Sequence, residues 1–196
     1  MSEPDAALRE PPVVVITGGA TGIGRACAFA CGRAGAAVAL LSLSGTDLAR
    51  TAGELRGIGV RAQAIGADVR DFASVEGAVR QVITRFGRID VLIASAGIAD
   101  QSHIASGSPH RWQAVVQTNL MGVANSIRAV APAMVQAGSG DIVIIASASG
   151  RETYVGEPLY IASKWGVVGL GHAARKELAS RTSASRWSSP GWSIPR

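Results

Sequence analysis

An apolar, β-branched run, Val13-Val14-Val15-Ile16-Thr17, leads directly into Gly18-Gly19-Ala20-Thr21-Gly22-Ile23-Gly24, and a helical pattern follows to about Ala34. This junction constrains the fold more than any other stretch of the chain. A short apolar run bounded by glycine reads as a strand buried on both faces, as in a parallel sheet. Glycines at the turn let the backbone bend sharply and come close to a bound group. The amides at the start of the following helix then face that group, and they favour an anion.

The rest of the chain repeats the theme. Residues 37–42, 60–66, 89–94 and 141–147 read as further strands. Residues 47–57, 71–86, 109–137 and 160–180 read as helices. In the 71–86 helix, Val75, Val79, Val82 and Ile83 make one apolar face. Strands alternating with helices at this spacing predict a parallel sheet covered on both faces. A doubly wound α/β sheet of the Rossmann type is the natural arrangement, as a single domain with an incomplete C-terminal part. The divisions expected are a flexible polar segment 1–12, a dinucleotide-binding domain 13–180 and an atypical tail 181–196.

Composition narrows the function. Apolar residues make up 47% and charged residues 17% of the 196, which excludes a disordered or fibrous chain. The net charge of +5 invites a nucleic-acid reading, but Arg181, Arg186 and Arg196 supply three of those charges with no acid nearby. The body lacks a basic cluster, so no nucleic acid is expected as a partner. No apolar run approaches the ~20 residues of a membrane span. The polar start, with Pro4, Pro11 and Pro12, has no secretion-signal pattern, so no membrane association and a cytoplasmic location are expected. Cys27 and Cys31 lie four apart on one helix and read as small core residues, not as metal ligands. His103, His110 and His172 are scattered and carry no expected role, and no metal site is expected.

The spacing Thr-Gly-x-x-x-Gly-x-Gly at Thr17–Gly24 resembles the glycine motif of the short-chain dehydrogenase/reductase family, and the resemblance runs from about Val13 to Leu178. It implies that Gly18, Thr21, Gly22, Ile23 and Gly24 hold a nicotinamide dinucleotide. Ala67-Asp68-Val69 resembles the family's adenine contact, with Asp68 and Val69 as cofactor residues. Ala94-Ser95-Ala96-Gly97 stands where the family has Asn-Asn-Ala-Gly, which assigns Ser95, Ala96 and Gly97 to the cofactor. The change to Ala94 and Ser95 implies altered local bonding.

Tyr160-Ile161-Ala162-Ser163-Lys164 opens the last helix, and Tyr160 and Lys164, four apart, share one face. Ser147 lies thirteen residues earlier, at the end of the fifth strand, and Asn119 lies within the long helix. In identity, order and spacing these resemble the family's Asn-Ser-Tyr-Lys catalytic tetrad. The chemistry that follows is exchange of a hydride between NAD(P) and an alcohol or carbonyl substrate. A free tyrosine titrates near ~10, and a neighbouring cation favours the phenolate. The resemblance therefore implies Tyr160 as general acid/base, with Lys164 tuning it and binding the nicotinamide ribose. It makes Ser147 the group that polarises the substrate oxygen. Asn119 would interrupt regular helix bonding and hold a water for proton relay. Tyr160 and Lys164 thus also count as cofactor residues.

The second strand ends Leu41-Ser42-Leu43-Ser44, with no acid where an NAD-preferring member often has Asp. Ser42, Ser44 and Thr46, with Arg25 nearby, could bond a 2′-phosphate, so NADP is the expected cofactor and NAD the alternative. The resemblance also implies a homodimer or homotetramer through the helices at 109–137 and 160–180. After Leu178 the family pattern breaks. Ser183–Pro195 has no apolar run for a sixth strand, although Pro190-Gly191 keeps the expected offset. The tail reads either as a divergent terminus or as a frame-shifted family C-terminus, leaving the fifth strand at an edge and the substrate lid absent. The competing expectation is a truncated, non-catalytic protein of this fold that binds nucleotide weakly or acts through protein partners.

Overall fold

The computed structural model describes residues 10–43 and 45–179. The expectations for Ser44, for Ser180, for the tail 181–196 and for all but the end of the 1–12 segment lie outside these residues. Among the described residues are five parallel strands: β1 (Val13–Thr17), β2 (Ala37–Ser42), β3 (Ala62–Gly66), β4 (Val91–Ala94) and β5 (Asp141–Ile144). They stand in the order β3-β2-β1-β4-β5, the doubly wound sheet expected from the alternating pattern. The chain winds outward from β1 to β3, then crosses back to place β4 on the other side of β1. A crevice opens at such a reversal, beyond the carboxyl ends of β1 and β4.

The central strands are apolar without alternation because both sheet faces are covered. Val13, Val15, Ala39, Leu41 and Leu92 pack against α3 (Phe72–Phe86), α5 (Gly122–Ala137) and α6 (Pro158–Ala179), through Val75, Val79, Val82, Ile127, Val130 and Val167. On the opposite face, Val14, Ile16, Val38, Leu40 and Ile93 meet Ala28 of α1 (Gly22–Arg33) and Leu48, Ala52 and Leu55 of α2 (Thr46–Gly57). Fully burying one side chain such as Leu40 stabilises the fold by about 1.5–3 kcal/mol.

Helix ends follow local chemistry. The Asp71 carboxylate accepts from the Ala73 amide at 3.0 Å and starts α3, and Gly87, in the left-handed region, ends it. Ile83 departs from expectation. It is 36% exposed, because the buried stripe of α3 is Val75, Ala78, Val79 and Val82, and Ile83 lies past its edge. The 109–137 stretch is helical throughout but not uniform. Between α4 (Pro109–Val116) and α5, residues Gln117–Met121 form a wide π turn, in which the Gly122 amide donates to the Gln117 carbonyl.

The strands are shorter than expected at three ends. β3 begins at Ala62, β4 at Val91, and β5 stops at Ile144. Ile145 still donates to the Ala94 carbonyl at 3.0 Å before the chain turns toward the crevice. β5 is half-buried along its length and, among the described residues, pairs only with β4, so it stands at an edge. Cys27 and Cys31 are free, half-buried and packed against the α1–α2 side of the core. Burial, then the Cys27 charge, raises the Cys31 thiol above its ordinary value. No described helix is long and apolar enough to cross a membrane.

Candidate active site

A cleft of about 550 Å³ opens where the sheet order reverses. The glycine loop forms one wall, with Gly18, Thr21, Gly22 and Ile23. Gly18 has φ +66°, and a Cβ there would lie 2.8 Å from the Ala96 Cα. Only glycine takes that turn cheaply, and it brings β1 and β4 loops together at the cleft floor. Gly24 does not line the cleft. A Cβ at Gly24 would meet the Gly18 carbonyl oxygen at 2.3 Å, so its bare Cα lets α1 pack on the loop.

The first turn of α1 opens toward the cleft, and Thr21, its N-cap, makes no side-chain capping bond. Free amides at that position suit a pyrophosphate. The second wall is built by Ser42 and Leu43 beyond β2, and by Asp68, Val69 and Arg70 beyond β3. β2 and β3 meet there, with the Ala67 amide donating to the Ser42 carbonyl at 2.7 Å. Arg70 grips Asp68 in a fork, Nε to Oδ1 at 2.9 Å and Nη2 to Oδ2 at 2.6 Å. This bond, more than any other influence, holds the Asp68 carboxyl below its ordinary value.

Ser95, Ala96 and Gly97 form the floor. The buried Thr17 hydroxyl accepts from the Ser95 and Ala96 amides at 3.2 and 3.3 Å. It thereby ties the β4 loop to the end of β1. This is the local bonding that the Ala94-Ser95 departure left open, and the signal for it was the threonine that opens the glycine motif.

Tyr160 and Lys164 line the opposite end of the same cleft. The Lys164 Nζ lies 5.7 Å from the Tyr160 ring centroid and donates to the Ile145 carbonyl at 3.0 Å. Lys164 is 7% exposed, and burial pushes its ammonium below the ordinary value. Asn119, in the π turn, is 1% exposed and lies behind the floor. Its Oδ1 accepts from the Ile98 amide at 2.8 Å, and its Nδ2 donates to the Ile98 carbonyl at 2.9 Å and to the Ser163 hydroxyl at 3.1 Å. Both amide hydrogens are used, and one Oδ1 lone pair remains. The Ser163 hydroxyl in turn donates to the Tyr160 carbonyl at 2.7 Å, so a buried chain of bonds joins the floor to the helix carrying Tyr160.

Ser147 sits one residue past Ala146, which lines the cleft. Its hydroxyl caps a single 3₁₀ turn, Ala148–Gly150, accepting from the Ser149 amide at 3.2 Å. Arg25 is not among the residues that line the cleft, and its guanidinium pairs with Glu54 of α2 and lies over the Phe29 ring at 4.7 Å. Arg70 and Ser163 were missed as site residues. The available signals were the position of Arg70 two residues past Asp68 and that of Ser163 three residues past Tyr160.

A cleft with a glycine loop at one end and a phenol–ammonium pair at the other defines a nucleotide-dependent enzyme on a doubly wound sheet. The model of the short chain dehydrogenase family matches residues 12–185, and the chain belongs to that family of NAD(P)-dependent oxidoreductases. It is 34% identical over 181 residues to the 3-oxoacyl-[acyl-carrier-protein] reductase FabG of Staphylococcus aureus, covering 92% of this chain and 74% of that one. The FabG of Thermotoga maritima is 33% identical over 183 residues, with 93% and 74% covered. A crystal structure of an actinorhodin polyketide ketoreductase variant with NADPH superposes with a TM-score of 0.85 at 37% identity, covering 88% of this chain and 67% of that one. The chain is therefore shorter than these relatives.

Proposed function

We propose that residues 13–179 form one dinucleotide-binding domain that reduces a ketone or aldehyde with NADPH, NADH being the alternative donor. The observation that carries this reading is the placement of Tyr160 and Lys164 in the same cleft as the uncapped first turn of α1. The donor set fits the group: free amides and glycine for the pyrophosphate, Asp68 and Val69 for the adenine, Lys164 for the nicotinamide ribose. The absence of an acid at Ser42 favours NADPH, as does the NADPH bound to the ketoreductase relative. When bound, the dinucleotide supplies the hydride.

The residues of the chain then handle the proton. Tyr160 is the general acid and gives its phenolic proton to the carbonyl oxygen. Lys164, one helical turn on, stabilises the negative charge left on that phenol. Ser147 donates a hydrogen bond to the substrate oxygen as charge builds on it. Asn119 fixes the floor against Ser163 and keeps one acceptor for a relay water. Both FabG relatives are named as 3-oxoacyl reductases, so 3-oxoacyl thioesters head the substrate panel. The helical surfaces at 109–137 and 160–179 are the faces for self-association, and the cytoplasm is the proposed location.

The test is a panel of 3-oxoacyl, ketone and aldehyde substrates assayed by loss of NADPH absorbance, with Tyr160→Phe alongside. The expected result is turnover with at least one substrate, and a loss of about a thousandfold or more in the variant with NADPH affinity kept within about threefold. Absence of any Tyr160-dependent turnover would favour the non-catalytic reading, a protein of this fold that binds nucleotide weakly or acts through protein partners.

A further inference from the structure

We infer that Arg70 determines which nicotinamide dinucleotide the cleft accepts, by neutralising Asp68 at its adenosine end. The inference rests on the dinucleotide reading above and extends it to a residue that no motif assigned. Among the described residues that line the cleft, Asp68 is the only carboxylate, and Arg70 and Lys164 are the only cations. Lys164 stands at the far end beside Tyr160 and is held by the Ile145 carbonyl. Arg25 is committed to Glu54. Among the described residues that line the cleft, the adenosine end therefore carries one ion pair.

The geometry of that pair is close. The guanidinium makes three bonds to the carboxylate, at 2.6, 2.9 and 3.0 Å, and the Arg70 amide adds a fourth at 3.0 Å. The amide bond to Oδ1 turns the chain so that the Arg70 side chain folds back over Asp68. Asp68 is ionised at neutral pH, as an ordinary aspartate is, and the bond from Arg70 holds its carboxyl further below that range. The pair is neutral as a unit and sits against the end of β2, where Ser42 and Leu43 line the same wall.

NADPH differs from NADH by one phosphomonoester on the adenosine ribose, which carries about −1.5 to −2 charges near neutral pH. A bare Asp68 carboxylate on this wall would repel that group. Arg70 cancels that repulsion, and its four bonds fill the acceptor sites of the Asp68 carboxylate. At near-surface dielectric, and screened by physiological salt over about one Debye length, one unit charge facing a dianion across ~8 Å alters affinity by about five- to tenfold. NADH lacks the phosphate and is nearly indifferent to the change.

The test is direct titration of NADPH and of NADH, without substrate, into wild type, Arg70→Gln, Asp68→Asn and the double variant, followed by tryptophan fluorescence or calorimetry. Arg70→Gln is expected to lose about five- to tenfold in NADPH affinity, with NADH changed by less than about twofold. Adding Asp68→Asn to Arg70→Gln is expected to restore the wild-type ratio of the two affinities, because the uncancelled carboxylate is gone. Equal weakening of both dinucleotides would overturn the inference and reduce Arg70 to a support for the adenine pocket. An unchanged ratio in Arg70→Gln would overturn it as well, and the nicotinamide reading would stand untouched. If wild type bound neither dinucleotide, the reading beneath the inference would fall with it.

Discussion

Gly24→Ala is the sharpest probe of how the glycine loop works. The added Cβ would sit 2.3 Å from the Gly18 carbonyl oxygen and 2.9 Å from the Gly18 carbonyl carbon. Ordinary contact needs about 3.4 Å or more, so the loop and α1 must separate by roughly 1 Å. Both struck atoms are backbone, and no rotamer change relieves them. Overpacking of this kind costs about 1–3 kcal/mol, and a backbone clash belongs at the upper end. The displaced segment is the one proposed to cradle the pyrophosphate, so cofactor affinity should fall by about thirtyfold, or ~2 kcal/mol. Gly35→Ala is the control. Gly35 has φ +91° with nothing within 4 Å of the added carbon, so alanine there meets only left-handed strain of about 1–2 kcal/mol. Urea denaturation reads stability and NADPH titration reads binding. Both variants should be destabilised, and only Gly24→Ala should lose affinity. NADPH binding by Gly24→Ala within about threefold of wild type would refute the packing argument, as would equal binding losses in the two variants.

Two further outcomes follow from the site. Thr17→Val removes the acceptor shared by the Ser95 and Ala96 amides, and Ala96 loses its partner while Ser95 keeps the Thr17 carbonyl. The expected loss is about 2 kcal/mol in urea denaturation, with Thr17→Ser close to wild type, and a Val variant as stable as wild type would contradict it. Lys164→Met removes a buried ammonium whose titration burial has pushed below the ordinary 10.5. Between the lowered value and 10.5 the unfolded chain binds more protons than the folded one, so wild-type stability rises with pH across that interval. The wild type should therefore gain on Lys164→Met as pH is raised from about 7 to about 10, and a constant gap would show that burial does not govern Lys164.

The fold was legible because its strongest signals are local. Val13–Thr17 is apolar at every position, which a strand needs only when both faces are covered, and the glycines behind it allow little except a tight turn into a helix. The irregular turn around Asn119 was anticipated through the family resemblance. Features that depend on side-chain partners from distant segments were harder to read. The place of Arg25 was misjudged because its partner, Glu54, comes from α2, which only the folded packing brings alongside. Ile83 looked apolar and in phase, but it lies past the edge of the buried stripe of Val75, Ala78, Val79 and Val82. Arg70 was overlooked because its meaning lies in the charge inventory of a cleft assembled from β1, β2, β3 and β4. Ser163 was hidden inside a motif recognised for its neighbours, and its link to Asn119 spans 44 residues.

The most direct measurement is a single turnover with NADPH deuterated at the transferable position of the nicotinamide, using a ketone from the panel, in wild type and Tyr160→Phe. The wild type should place deuterium on the carbinol carbon of the product, and the phenylalanine variant should bind the coenzyme yet form almost no labelled alcohol. Label transfer at equal rates in both proteins, or none in a wild type that holds the coenzyme, would contradict proton delivery by Tyr160 in this cleft.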